Sequence, residues 1–335
     1  MNLSLISKFR TELMGFAMLL VVWHHLPMNI NLTVYDFLKS NGGFGVDVFL
    51  LLSGMGLYFS TSKGLNIKEY AIKRAIRIFP IYALIITVLS LIKGGGNPIS
   101  ILLKITTIGW WTGHGAYDWF IPNLVLLYVI YPFYYTIIKR RNNGIYWGMA
   151  VIIALYVVIF CLPYGSDFQA LYRYPVFLLG AIIGRLIKDN VEDKRINISY
   201  ILLFIIGCCM SVYAYIKYNQ PNLDPFVVPE IKLNGWLFIP YIFIVTGFCV
   251  LISYILSFRK MDTINKFLRL IGGMSLEVYL LHGQFINLTR YITDTYGLSK
   301  PLIGVVLVTF SFVVAYWVHL LNIRMMDALK SKLLK

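Results

Sequence analysis

Residues 9–27 read FRTELMGFAMLLVVWHHLP. An arginine precedes a long apolar run, and the run closes on two adjacent histidines and a proline. The apolar part, about 11–28, approaches the ~20 residues a helix needs to cross the hydrocarbon of a bilayer. Nine further runs of this kind follow, at roughly 44–61, 76–93, 119–138, 145–163, 170–187, 198–218, 236–256, 271–290 and 302–322. The segment 99–111 is apolar but too short for a span, and is expected to lie at the interface or fold back. Over 335 residues the chain is 59% hydrophobic and 13% charged, with a mean hydropathy of +0.72. A soluble domain of this length needs a mostly polar exterior, which this composition does not supply. The expected fold class is an all-α integral membrane protein with about ten transmembrane helices.

Basic residues set the direction. With the N-terminus in the cytoplasm, the inner segments collect Lys8 and Arg10, then Lys63, Lys68, Lys73, Arg74 and Arg77, then Lys139, Arg140 and Arg141. Further basic clusters precede the seventh and ninth runs and close the chain, while the outer loops hold scattered ones. Both termini are therefore expected in the cytoplasm. The formal net charge of +15 resides in these clusters, so it points to a bilayer and not to nucleic acid. Cys161, Cys208, Cys209 and Cys249 all fall inside apolar runs, which reads as small apolar packing rather than a disulfide framework or zinc site. No small-residue cleavage site follows the first run, so no cleavable leader is expected. With no repeat, low-complexity tract or long linker, one membrane domain over 1–335 is expected, without a fused soluble domain.

Titratable groups inside spans cost about 2.5–3.5 kcal/mol each at the bilayer centre, so each calls for a partner or a task. On the orientation above, His24 and His25 lie towards the outer end of the first span, and Asp47 opens the second in GGFGVDVFLLLSG. His114 and Asp118 fall in the outer loop GWWTGHGAYDWF, Arg173 enters the sixth span from outside, and Glu277 and His282 lie inside the ninth in GGMSLEVYLLHG. Adjacent helical residues differ by about 100° in direction, so His24 and His25 cannot serve one cavity equally. Intramembrane titratable groups default to functional roles, which favours one of the pair as catalytic. Asp47 also fits a helix cap, and Arg173 a residue reaching the outer headgroups.

The opposite face carries KEYAIKRAIRIFPIY. Lys73, Arg74 and Arg77 are i,i+3 and i,i+4 neighbours and form a basic strip at the inner mouth of the third span. Such a strip anchors a span, and its guanidinium forks also suit phosphates. Arg10 belongs to the same inner surface and precedes the histidines by about four turns, or ~21 Å of rise.

Several stretches in order, FRTELMGFAMLLVVWHH, GFGVDVFLLLSGMGLYFS, YAIKRAIRIFPIY, WFIPNLVLLYVIYP, RYPVFLLGAIIG and GGMSLEVYLLHG, resemble the transmembrane acyltransferase 3 family of bacterial O-acyltransferases. The resemblance implies a ten-span core, a catalytic first-span histidine at His25, and acyl-CoA phosphates held by Lys73, Arg74 and Arg77. It also matches the family's Gly-Val-Asp motif at Gly45, Val46 and Asp47. Many members carry an arginine where this chain has Met14, and Arg10 is the nearest substitute.

The activity this implies is a membrane O-acetyltransferase of the cytoplasmic (inner) membrane, moving acetyl from cytoplasmic acetyl-CoA to a hydroxyl of a cell-surface or lipid-linked saccharide. Neutral His25 would act as general base, with Asp47 orienting the imidazole and His24 and His282 as further catalytic candidates. Direct transfer and an acetyl-histidine relay both remain open. Arg10, Lys73, Arg74 and Arg77 would bind the donor, and Trp111, His114, Asp118, Trp119 and Arg173 the acceptor. No metal is expected. The alternative is a proton-coupled transporter or flippase of a lipid-linked glycan, although such folds often show repeated halves, and none is apparent here.

Overall fold

The computed structural model describes residues 3–28, 33–92, 94, 97–113, 118–161, 166–191, 194–218 and 230–334. Among them every regular element is helical. In order these are α1 Ser4–Lys8, α2 Arg10–His25, α3 Thr33–Ser40, α4 Gly45–Thr61, α5 Ile67–Ile92, α6 Pro98–Ile105, α7 Ile108–Trp111, α8 Phe120–Ile138, α9 Gly144–Cys161, α10 Tyr174–Lys188, α11 Lys194–Tyr218, α12 Glu230–Leu256, α13 Asp262–Gly273, α14 Ser275–Tyr296 and α15 Lys300–Leu333. Short 3-10 turns occupy Asn41–Phe44, Ser166–Arg173 and Arg259–Met261.

Local chemistry sets the ends. Asn97 accepts the Ile99 N–H and Pro98 opens α6, a cap plus a residue with no N–H to leave unpaired. Gly297 closes α14 with φ 67°, its N–H on the Thr293 carbonyl, a conformation that costs glycine little. The expected ninth span, 271–290, is divided differently: α13 stops at Gly273 and α14 begins at Ser275. Segment 99–111 forms only α6, α7 and a turn in which Thr107 has φ 63°.

Seven described helical stretches are long and apolar enough to cross a membrane: Thr33–Thr61, Ile67–Ile92, Phe120–Ile138, Ala170–Lys188, Ile198–Ile216, Phe238–Leu256 and Lys300–Leu333. The other three expected runs fall short for different reasons. Helix α2 has 16 residues, about 24 Å of rise, less than a hydrocarbon core of ~30 Å. Helix α9 is apolar, but only Gly144–Ile159 counts as described apolar helix. Helix α14 has 22 residues, and its acidic, basic and histidine side chains lower its hydropathy. Rows of large apolar side chains stand exposed on α11 (Ile198, Leu202, Ile205) and α15 (Leu302, Val306, Phe310, Trp317), as lipid-facing surfaces require.

The chain divides into two compact units. The first comprises Met1–His24, Asn29–Lys63 and Phe133–Gly273. Its main crossing is α4 on α10, and α11 pairs with α12. A Cβ on Gly54 would run into the Phe177 carbonyl and one on Gly180 into the Leu51 carbonyl, so the two backbones touch through small residues. The same reciprocity joins α2 and α13, where Gly15 meets Leu268 and Gly272 meets Thr11.

The second unit comprises His25–Met28, Gly64–Pro132 and Met274–Lys335. Here α14 pairs along α15, and both contact α5. Glu277 of α14 is buried and accepts the Asn322 Nδ2–H at 2.6 Å and the His319 Nδ1–H at 3.1 Å, both on Oε1. These two donors clamp the two helices, with the carboxylate in the favourable first turn of α14.

Candidate active site

In the second unit, His25 and His282 lie ring against ring, centroids 5.2 Å apart and planes tilted by 66°. His282 is buried on α14. Its Nδ1 lies 2.7 Å from the Tyr279 carbonyl oxygen and 3.2 Å from that of Val278. Carbonyl oxygens only accept, so Nδ1 is the donor in this arrangement. The Tyr279 ring packs 5.7 Å from His282 and 5.0 Å from Phe120, and Phe120 lies 5.9 Å from Trp119.

Asp118 stands at the head of α8. Its Oδ1 accepts the Ile121 N–H at 2.8 Å and the Tyr279 hydroxyl at 3.4 Å. Burial pushes this carboxyl up to about 6, against the opposing pull of the Ile121 and Phe120 N–H groups and the Tyr82 and Tyr279 hydroxyls. Tyr82 is fully buried on α5, the helix that also carries the basic strip.

On that strip Lys73 is ion-paired with Glu69 at 2.5 Å. The Arg74 guanidinium lies 5.8 Å from the Tyr70 ring centre, and its buried Nε–H has no acceptor among the described residues. Arg77 is exposed. Eight residues separate Arg74 from Tyr82, about 12 Å along the helix.

The first unit holds His24, Asp47, Arg173 and Arg10. His24 donates from Nδ1 to the Lys39 carbonyl at 2.7 Å. Asp47 Oδ2 pairs with Arg173 Nη1 at 2.5 Å, and the same Nη1 donates to the Gly43 carbonyl at 3.0 Å. The Arg173 guanidinium lies 4.7 Å from the Phe238 ring centre. The sequence suggests Asp47 as the partner of an imidazole and Arg173 as an acceptor ligand or a residue reaching the outer headgroups; the structure buries both and pairs them with each other. The reason is electrostatic: a carboxylate and a guanidinium buried in one unit gain far more from pairing than either gains alone. Arg10 donates from Nε to the Leu52 carbonyl at 3.2 Å, and its guanidinium fills the space over Gly56. In the second unit, His114 lies outside the described residues, and Trp111 is exposed at the end of α7.

The family model for the acyltransferase domain matches residues 13–320. The chain belongs to the acyltransferase 3 family. Comparison with curated proteins finds no match, and comparison with solved structures finds none. The protein is thus a membrane acyltransferase, with several apolar helices able to cross a bilayer. Within this acyltransferase, the structure brings His25 and His282 together and ties Asp118 to the same helix turn through Tyr279. Tyr279 itself went unnoticed in the sequence, although its place three residues before His282 puts both on one helix face.

Proposed function

We propose that this acyltransferase is an O-acetyltransferase of the cytoplasmic membrane, taking acetyl from cytoplasmic acetyl-CoA to a hydroxyl of a cell-surface or lipid-linked saccharide. The observation that carries the reading is the placing of an imidazole pair and a basic strip in one compact unit of a chain belonging to an acyltransferase family. Arg74 and Arg77 hold the donor's phosphates. The unpaired Arg74 Nε–H fits an anionic ligand, which supplies the acceptor it lacks. Lys73 contributes less, its charge being shared with Glu69. Arg10 spends its Nε–H on a backbone carbonyl, which leaves its Nη donors to assist the two arginines of α5.

His25 takes the proton of the acceptor hydroxyl as the oxygen attacks the thioester carbonyl. The carbon–sulfur bond breaks, and the imidazolium returns the proton to the departing thiolate, giving the O-acetyl ester and free CoA. Trp119 and its aromatic neighbours offer apolar faces to a sugar ring.

Calorimetry of acetyl-CoA with the purified protein in detergent tests the donor site. Binding by the wild type that Arg74→Ala/Arg77→Ala loses is expected. A folded wild type that binds no acetyl-CoA overturns the reading and favours a proton-coupled glycan transporter. His25→Ala is expected to bind donor normally and to form no O-acetyl product, and acetylation retained in that variant removes His25 from the chemistry.

A further inference from the structure

His282 has one nitrogen fixed by the backbone of its own helix. Because Nδ1–H is spent on the Tyr279 and Val278 carbonyls, neutral His282 has its lone pair on Nε2. The neighbouring ring is that of His25, its centroid 5.2 Å away and its plane turned by 66°, a separation that an in-plane N–H···N bond between two imidazoles spans. We propose that His282 is a positioning residue for His25: its Nε2 accepts an N–H of His25, which selects the His25 tautomer whose other nitrogen is the base.

The assignment rests on the general-base reading of His25 given above and extends it. A general base works only from one tautomer and one ring orientation, and a hydrogen bond to its second nitrogen secures both. When His25 takes the proton of the acceptor hydroxyl, it becomes an imidazolium whose second N–H still points at a neutral acceptor. That contact stabilises the charge without removing the proton, which then passes to the thiolate sulfur. No further reactant enters.

The surroundings of His282 are built to hold it still. Tyr279 supplies the carbonyl on Nδ1 and sends its hydroxyl to Asp118. Asp118 is in turn anchored to the first turn of α8 by the Ile121 N–H. One tyrosine therefore ties the imidazole, through main chain and side chain, to a carboxyl on another helix. Phe120 packs against the same tyrosine, ring centroids 5.0 Å apart.

Nitrogen-15 NMR of histidine-labelled protein in detergent reads the tautomer without any acyl transfer. The His282 signals, assigned by their loss in His282→Gln, are expected to show hydrogen on Nδ1 and an unprotonated, hydrogen-bonded Nε2. Hydrogen on Nε2 overturns the proposal. Kinetics supply the second arm. His282→Phe is expected to lose on the order of 10²-fold in kcat with the KM for acetyl-CoA unchanged. His282→Gln, whose amide oxygen can stand near the position of Nε2, is expected to keep more of it than His282→Phe. If the phenylalanine variant does not fold, the NMR result and the glutamine variant decide. Wild-type kcat in a folded His282→Phe, or equal loss in both variants, overturns the positioning role. Acetylation retained in His25→Ala instead overturns the base reading beneath it, and the NMR arm still reports the tautomer on its own.

Discussion

At the scale of single residues, burial of charge dominates. Asp47 and Arg173 form an ion pair in the first unit, both buried. Removing one member strands the other, at a cost of about 3–5 kcal/mol, whereas replacing both by apolar residues is often close to neutral. Asp47→Ala is therefore expected to lower the thermal unfolding midpoint in detergent markedly, and Asp47→Leu with Arg173→Met to recover most of it. Asp118, outside the span that begins at Phe120, gives a pH signature. Burial, the largest influence, pushes its folded carboxyl up from an ordinary 3.8 to about 6. A raised acid holds its proton more tightly when folded, so its stabilising contribution is full below the unfolded value. That contribution falls as pH rises through this window and is gone above the folded value. Asn can keep the cap at α8, so Asp118→Asn is expected to gain stability relative to wild type from about pH 4 to about pH 6 and to hold a constant advantage above. Thermal unfolding across that range checks it.

At the scale of helices, close approach replaces the hydrophobic effect, because lipid tails are as apolar as the side chains they contact. The Gly54–Gly180 crossing of α4 and α10 leaves no room for a Cβ on either side. Gly180→Leu is expected to reduce the folded yield sharply in size-exclusion chromatography. By contrast, nothing lies within 4 Å of a Cβ built on Gly283 in α14. Gly283→Ala is expected to be neutral or to stabilise by up to about 1 kcal/mol through helix propensity. Periodicity showed these segments as helical, but it did not show which glycines would be interface and which open. That distinction depends on the partner helix, a property of pairs that no single run encodes.

At the scale of the whole molecule, the distribution of basic residues predicts that the α8–α9 turn faces the cytoplasm and the segment after α7 faces outward. A cysteine at Asn142 is expected to resist a membrane-impermeant thiol reagent applied to intact cells, and one at Thr112 to react, against the background of the four native cysteines. Reversed labelling would invert the assignment of donor and acceptor sides. Helix α15 has 34 residues, about 51 Å of rise, well beyond a ~30 Å core. Its basic C-terminal turns therefore reach past the hydrocarbon on whichever side the labelling assigns.

The class of protein follows from composition alone, since 59% hydrophobic residues cannot be folded away from lipid in a chain of this length. The family was also legible, in ordered motifs from the first span to the ninth, and so were the basic strip on α5 and the histidine at the end of α2. Partnership was not. Asp47 and Arg173 are 126 positions apart, and His25 and His282 are farther apart still, so no local pattern links either pair. Hydropathy registers an apolar run but not where a helix stops within it, as between Gly273 and Ser275. Local chemistry is written residue by residue and is read directly. Which charges pair, and which imidazoles meet, is decided only when packing excludes water and leaves each buried polar group with the neighbours the fold provides.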